Sequence, residues 1–174
     1  MMTATLSTDR LHRYDLTRTA DQTQPGTILF VMCNPSTADA SLDDPTITKC
    51  TKIAATQRFG TLAVVNLWSY RTPDPAHLIA AANNGIDITG KPANREWIRR
   101  HLNRATVVVA AWGAIAARVP GYLDAVQALR DDANALGIGA LYCLGTTKDG
   151  HPKHPLARGK HRIADDQPLE RWPA

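Results

Sequence analysis

The segment "TILFVMCNPS", residues 27–36, decides the fold class. After Thr27 it is an uninterrupted apolar run up to Cys33, which is typical of a strand buried on both faces of a parallel sheet. The run ends abruptly in Asn34-Pro35-Ser36. Residues of this type either form a turn or stand at a ligand site, and the remainder of the chain must distinguish the two.

Three further apolar runs, 61–66, 105–113 and 139–145, predict three more buried strands. Helical segments separate them. Asp44-Pro45 and Asp74-Pro75 each place an N-cap Asp before a Pro at the first helical position. Two more helices are predicted over 91–104 and 122–137.

This alternation of strands and helices predicts an α/β fold with a parallel sheet. We expect a single three-layer domain over residues 1–174, with a four-stranded parallel sheet and helices on both faces. Residues 11–20 are predicted to be an edge strand, and residues 1–10 a flexible tail.

Composition narrows the classes of function. A chain of 174 residues that is 44% hydrophobic can form one substantial core, and a net charge of +4 is compatible with a polyanionic partner. No apolar run approaches the ~20 residues of a membrane helix, and the first residues lack a signal-peptide pattern, so we expect a cytoplasmic protein. The three cysteines and the late histidines have no metal-site spacing, so we expect neither a metal nor a cofactor.

Ligands of open α/β sheets bind beyond the carboxyl ends of the strands. The predicted strands end at Asn34, Asn66 and Trp112, and the fourth leads towards His154, while Trp68 follows Asn66 closely. Amides and an imidazole suit the polar edge of a planar ligand, and indoles suit its face. A nucleobase has both features.

Three segments resemble motifs of the uracil-DNA glycosylase superfamily: "MCNPS" (32–36), "AVVN" (63–66) and "KHPL" (153–156). The resemblance covers residues 27–160 and implies that fold and excision of a base from DNA. Met32 and Ser36 stand where the glycosylase motif has glycines, and Leu156 replaces a Ser, which leaves the substrate open. "NPSTADA", "DDPT", "AWG" and "HPL" resemble, more closely, a bacterial and phage family known only as a domain of unknown function.

The resemblance implies roles for three residues. Asn34 would orient the attacking water or hold the base, Asn66 would make a two-pronged contact to the base edge, and His154 would donate to the oxygen that gains charge as the base departs. Each also has a structural alternative: an Asx turn at Asn34, a strand cap at Asn66 and a solvated loop at His154.

The other candidates complete the predicted site. Asp44 is either a general base or orienter, or only the N-cap of its helix. Leu156 would wedge into the base stack while Arg158 and Lys160 bind phosphates, unless this loop is simply a solvated basic surface. The indoles of Trp68 and Trp112 would be stacking walls for the base, unless they are ordinary core aromatics. The residues expected to contact the substrate are Cys33, Pro35, Ser36, Trp68, Trp112 and Gly113.

These observations favour a monomeric DNA glycosylase that flips a modified base out of duplex or single-stranded DNA and hydrolyses its N-glycosidic bond. Two alternatives remain open. One is a nucleotide-processing or base-modification enzyme on the same scaffold, suggested by Met32, Ser36 and the acidic segment after them. The other is a non-catalytic nucleic-acid-binding module, suggested by the basic charge.

Overall fold

The computed structural model describes residues 1–173, and its seven strands form one mixed sheet. The strands are β1 (Met2–Leu6), β2 (Arg13–Thr19), β3 (Thr27–Met32), β4 (Thr61–Asn66), β5 (Val107–Ala110), β6 (Tyr142–Cys143) and β7 (Glu170–Arg171). Their spatial order is β1-β2-β4-β3-β5-β6-β7.

The four central strands, β4, β3, β5 and β6, are parallel neighbours, and they arise from the four predicted apolar runs. The predicted total of four strands was wrong. β1 and β2 extend one edge of the sheet and β7 extends the other, all through antiparallel pairs. The sequence signal of β1 and β7 is weak because β1 is largely exposed and β7 has two residues. The tail predicted for residues 1–10 is replaced by β1 and a turn onto β2.

The helices are α1 (Pro45–Thr56), α2 (Pro75–Asn83), α3 (Ala93–Leu102) and α4 (Tyr122–Ala135). Both Asp-Pro helix starts are confirmed: Asp44 accepts a hydrogen bond from the Ile47 amide at 2.9 Å, and Asp74 accepts one from the Ala76 amide at 2.8 Å. In each helix Pro occupies a position whose N–H has no intrahelical acceptor.

The alternation of side chains along β3 separates two hydrophobic clusters. Ile28 and Phe30 pack with α1 on one face, whereas Leu29 and Val31 pack with α2, α3 and α4 on the other. Helices therefore cover both faces of the sheet. No helix within residues 1–173 has the length and apolar character needed to cross a membrane.

The strand directions determine which residues meet. β3, β4 and β5 run in parallel, so their carboxyl ends share one rim of the sheet. β2 is antiparallel to β4, and its first residue, Arg13, therefore lies at that same rim, where its amide donates to the Ser69 carbonyl at 2.9 Å.

Candidate functional site

A cavity of about 210 Å³ lies at the carboxyl ends of β3, β4 and β5. Segments that are far apart in the chain form its walls, since the parallel strands and the loop after β6 all reach this rim. It brings together most of the predicted site residues: Cys33, Asn34, Ser36, Asp44, Asn66, Trp112 and His154.

His154 is a neutral hydrogen-bond donor in this cavity. Burial lowers its pKa from 6.5 to about 4, and the Asp44 carboxylate opposes this only in part. The Leu156 amide donates to His154 Nδ1 at 3.1 Å, so the proton of the neutral ring is on Nε2. Gly113 permits the close packing, because a Cβ added there would lie 3.1 Å from the His154 Cβ, and its φ of 74° is one that glycine adopts freely.

The side chain of Asn34 is fixed by its amide group. Nδ2 donates to the carbonyls of Pro35 and Thr72, at 3.1 and 2.9 Å, so both of its hydrogens are used. Thr72 also donates its backbone amide to the Pro35 carbonyl at 2.9 Å, which ties the tip of β3 to the segment before α2. Oδ1 of Asn34 accepts from no donor within residues 1–173, and it remains available to a ligand or to water.

Asn66 is 1% exposed, and its side-chain amide and its backbone carbonyl each accept a hydrogen bond from a neighbouring side chain. Its Oδ1 accepts a long hydrogen bond of 3.4 Å from Arg13 Nη2, while its backbone carbonyl accepts from Asn94 Nδ2 at 3.2 Å. Among the residues that the structure describes, no acceptor binds Asn66 Nδ2. The donor of this amide is therefore free for a ligand, whereas its acceptor is already shared with Arg13.

Asp44 belongs both to the N-terminus of α1 and to the lining of the cavity. One carboxylate oxygen caps α1, as described above, and the side chain also lines the cavity. It is close enough to Arg13 and His154 to influence the pKa of both. The helix cap and the site are therefore not exclusive alternatives for this residue.

The cavity wall also contains a thiol and an indole. Burial raises the pKa of Cys33 to about 12, so Cys33 is a neutral thiol and not a nucleophile at ordinary pH. Trp112 is fully buried, with its Nε1 donating to Tyr122 Oη at 3.2 Å, and its edge-to-face contact with Trp172 fixes the ring. Trp112 is thus a rigid wall.

Arg13 is a site residue that sequence reasoning missed. It lines the cavity and is only 2% exposed. An arginine in an alternating strand is normally interpreted as a solvated surface residue. Arg13 could have been predicted to lie at the site only if the antiparallel pairing of β2 with β4 were known. This pairing is a long-range property of the sheet.

Comparison with known proteins identifies the family. A family model described as "Protein of unknown function (DUF1643)" matches residues 13–156, which is most of the chain. The chain belongs to the DUF1643 family. Neither the search of curated proteins nor the search of solved structures gives a match. The segment that defines DUF1643 includes every residue named above as lining the cavity.

The remaining predicted residues lie in different places around this DUF1643 cavity. Trp68 is 2% exposed and packs in the core on the side of α2, α3 and α4, where it lines a separate cavity of about 170 Å³. The expectation that it forms a stacking wall beside Asn66 was wrong, because Trp68 does not line the cavity that holds Asn66. Pro35 and Gly113 support the cavity through their neighbours, Asn34 and His154.

Leu156, Arg158 and Lys160 are all exposed on the loop that carries His154, and Leu156 keeps 39% of its surface accessible. The acidic loop before α1 is partly neutralised. Arg18, nearly buried, binds Asp43 Oδ1 at 2.7 Å and also donates to the Leu42 carbonyl at 3.3 Å. Within residues 1–173 no cluster of three or more His, Cys, Asp or Glu side chains has the geometry of a metal site.

Proposed function

We propose that this DUF1643 protein is a nucleobase-acting enzyme, a DNA glycosylase with a uracil-DNA glycosylase-like arrangement that hydrolyses the N-glycosidic bond of a modified base. The observation that carries the proposal is a neutral His154 with its Nε2 proton free, in one cavity with the amides of Asn34 and Asn66. The motif resemblance of "MCNPS", "AVVN" and "KHPL" supports it, because these segments supply the three residues.

The cavity is small for a whole nucleotide. Its 210 Å³ lies below the roughly 300–1,000 Å³ of pockets that enclose drug-sized ligands, and it suits a single planar ring. A base in DNA can reach such a cavity only by leaving the stack, with its sugar and phosphates held outside. The cavity size therefore favours a flipped base.

Each of the three polar side chains then acts at a definite step of the reaction. As the glycosidic bond breaks, the sugar becomes oxocarbenium-like and negative charge develops on the base. His154 Nε2–H donates to the base oxygen that gains this charge, which stabilises the transition state more than the ground state. Asn34 Oδ1 accepts a hydrogen bond from the attacking water and orients it, and Asn66 Nδ2 donates to an acceptor on the base edge. The water oxygen forms the new bond to the sugar carbon as the bond to the base breaks, and the proton that the water loses neutralises the departed base anion.

The surface around the cavity suits DNA. The exposed Leu156 lies on the same loop as His154, two residues after it, and would fill the gap that a flipped base leaves in the stack. Arg158 and Lys160 supply charge for the flanking phosphates. The pairing of Asp43 with Arg18 reduces the repulsion that the acidic loop would otherwise exert on a polyanion.

The test is release of a free base. Oligonucleotides carrying uracil, hydroxymethyluracil and other modified bases are incubated with the protein, and released base is detected by mass spectrometry together with the abasic strand. We expect one base to be released, with loss in Asn34→Ala and His154→Ala. Matched controls are Asn83→Ala and His77→Ala on the exposed surface of α2, which should retain release. If no base were released from any oligonucleotide of the panel, the proposal would be overturned.

A second candidate is favoured by the charged lining. Arg13 and Asp44 both line the cavity, together with Met32 and Ser36, and a hydrolase for a neutral base does not require these two charges. These residues suit an enzyme that processes a modified nucleotide or modifies a base. Binding of free nucleotides without binding of duplex DNA would favour it. Salt-dependent DNA binding that survives Asn34→Ala and His154→Ala, with no chemistry, would favour a binding module instead.

A further inference from the structure

Arg13 is a buried cation whose hydrogen-bonding capacity the protein leaves mostly unused. Nη1 donates to the Ala38 carbonyl at 2.8 Å and Nη2 donates to Asn66 Oδ1 at 3.4 Å. Nε is buried and has no hydrogen-bond partner. A guanidinium has five N–H groups, so most of them lack an acceptor within residues 1–173.

No carboxylate compensates this charge by direct contact. None of the ion pairs within the part of the chain that the structure describes includes Arg13. A buried charge is normally both paired and hydrogen-bonded, because desolvation is expensive. Burial lowers the pKa of Arg13 to about 10, with Asp44 opposing this shift, so the guanidinium keeps its charge at neutral pH.

The charges near Arg13 do not remove the imbalance. Arg71 and Arg18 both repel Arg13, and Nε of Arg71 is a second buried donor without a partner. Asp15 attracts Arg13 from a distance, but its carboxylate is engaged by His101 Nε2 and by the Thr5 amide, each at 2.9 Å. Arg18 is occupied by Asp43. His154, on another wall of the cavity, is neutral, which leaves Asp44 as the acidic side chain lining this space.

We propose that the ligand of this cavity carries an anionic oxygen group and that Arg13 is the residue that recognises it. The inference rests on the proposed function and deepens it: the substrate is a pyrimidine-sized base with an acidic substituent, namely a carboxylate. A phosphate of the same nucleotide is excluded from this role by size, since the cavity holds one ring and the sugar-phosphate lies outside. Arg13 is thus a specificity residue. Its hydrogen bond to Asn66 Oδ1 positions the Asn66 amide next to the group that binds the substituent.

The test measures binding of free bases, independently of any reaction. Uracil-5-carboxylate and uracil-6-carboxylate are each compared with the corresponding carboxamide by calorimetry at pH 7.5, since the members of a pair differ in charge but little in shape. We expect the wild-type protein to bind one carboxylate on the order of 10-fold more tightly than its amide, as hydrogen bonds to charged groups contribute about 1.5–3 kcal/mol.

Arg13→Gln should abolish this preference, and Arg13→Lys should retain part of it, because charge is kept while the planar fork is lost. The matched control is Arg71→Gln, which removes the same charge nearby from a residue outside the cavity wall and should preserve the preference.

Equal affinities of the wild-type protein for acid and amide in both pairs would overturn the inference, whether or not the variants fold. Persistence of the preference in folded Arg13→Gln would also overturn it. The experiments distinguish a failure of the glycosylase proposal from a failure of the proposed role of Arg13. Release of neutral bases from DNA without any carboxylate preference would sustain the glycosylase and refute the role of Arg13, whereas carboxylate binding without base release would do the reverse.

Discussion

A Cβ placed on Gly113 would lie 3.1 Å from the Cβ of His154, and Gly113 adopts a φ of 74°. Gly113, three residues after the end of β5, therefore determines how closely the loop that carries His154 approaches the cavity. A separation of this kind is tighter than ordinary van der Waals contact, so any side chain at position 113 displaces the imidazole.

Gly113→Ala should therefore reduce base release by more than its effect on stability explains. The control is Gly121→Ala, at a φ of 78° with no atom within 4 Å of the added methyl group. Gly121→Ala should lose roughly 1–2 kcal/mol of stability, because Gly121 is in the left-handed region. Gly113→Ala should lose about 1–3 kcal/mol, because Gly113, with a ψ of 163°, adopts a conformation essentially restricted to glycine. Only Gly113→Ala should lower the single-turnover rate at a temperature where both are folded. Equal rates would show that the contact with His154 has no catalytic consequence.

The low pKa of His154 should appear in the pH dependence of stability. The folded-state pKa is about 4, below the ordinary 6.5, so the unfolded chain binds more protons between these values and stability falls as the pH is lowered through this interval. In His154→Gln this loss should be absent. Melting temperatures measured from pH 7 to pH 4.5 should converge with, or cross, those of the variant as the pH falls; parallel curves would contradict the assignment.

The two roles of Asp44 can be separated with its counterpart Asp74, which caps α2 without lining the cavity. Because Asn caps helices as well as Asp, Asp74→Asn should retain stability within a few tenths of a kcal/mol. Asp44→Asn should keep its helix cap and lose, in addition, only the attraction between its carboxylate and buried Arg13. Asp44→Asn should nevertheless lower base release, since it removes the negative charge beside Arg13 and His154. Full activity of folded Asp44→Asn would restrict Asp44 to its capping role.

The fixed amide of Asn34 predicts that an isosteric change is worse than a truncation. Asn34→Asp would place an oxygen against the carbonyls of Pro35 and Thr72, which now accept from Nδ2. We expect it to lose about 1–3 kcal/mol in chemical denaturation, more than Asn34→Ala, because two acceptors are then opposed to a carboxylate. Asn83→Asp on exposed α2 is the matched control and should change stability little. A milder effect of Asp than of Ala would contradict this orientation of the amide.

DNA binding should depend on the basic loop. The double variant Arg158→Gln/Lys160→Gln should bind duplex DNA more weakly at all salt concentrations, and the slope of log affinity against log salt should shrink by about 2. Arg58→Gln, an exposed cation at the opposite end of the strands, is the control. An unchanged slope in the double variant would place the phosphate contacts elsewhere.

The features of the fold that could be predicted from the sequence are those that depend on residues close together in the chain. The apolar runs and the paired Asp-Pro signals identified four strands and two helix starts, because burial and capping are encoded within a few residues. The rule that strand ends meet then placed Asn34, Asn66, Trp112 and His154 in one cavity. These inferences needed no knowledge of pairing partners.

What could not be predicted depends on long-range pairing. Arg13 enters the site only because β2 pairs antiparallel with β4, and nothing in the segment around Arg13 indicates this. Trp68 shows the converse error. It stands two residues after Asn66 in sequence, yet it lines a different cavity from the one that Asn66 lines. The tautomer of His154 likewise depends on a loop amide that no motif specifies.

The ends of the sheet restrict how this protein can associate with others. At one edge the register of β1 against β2 shifts between Thr5 and Leu6, and at the other β7 offers only two residues. Short or irregular edge strands are poor templates for the addition of a strand from another chain, and natural proteins use them to resist aggregation. Pairing of a strand from another chain with either lateral edge of this sheet is therefore disfavoured.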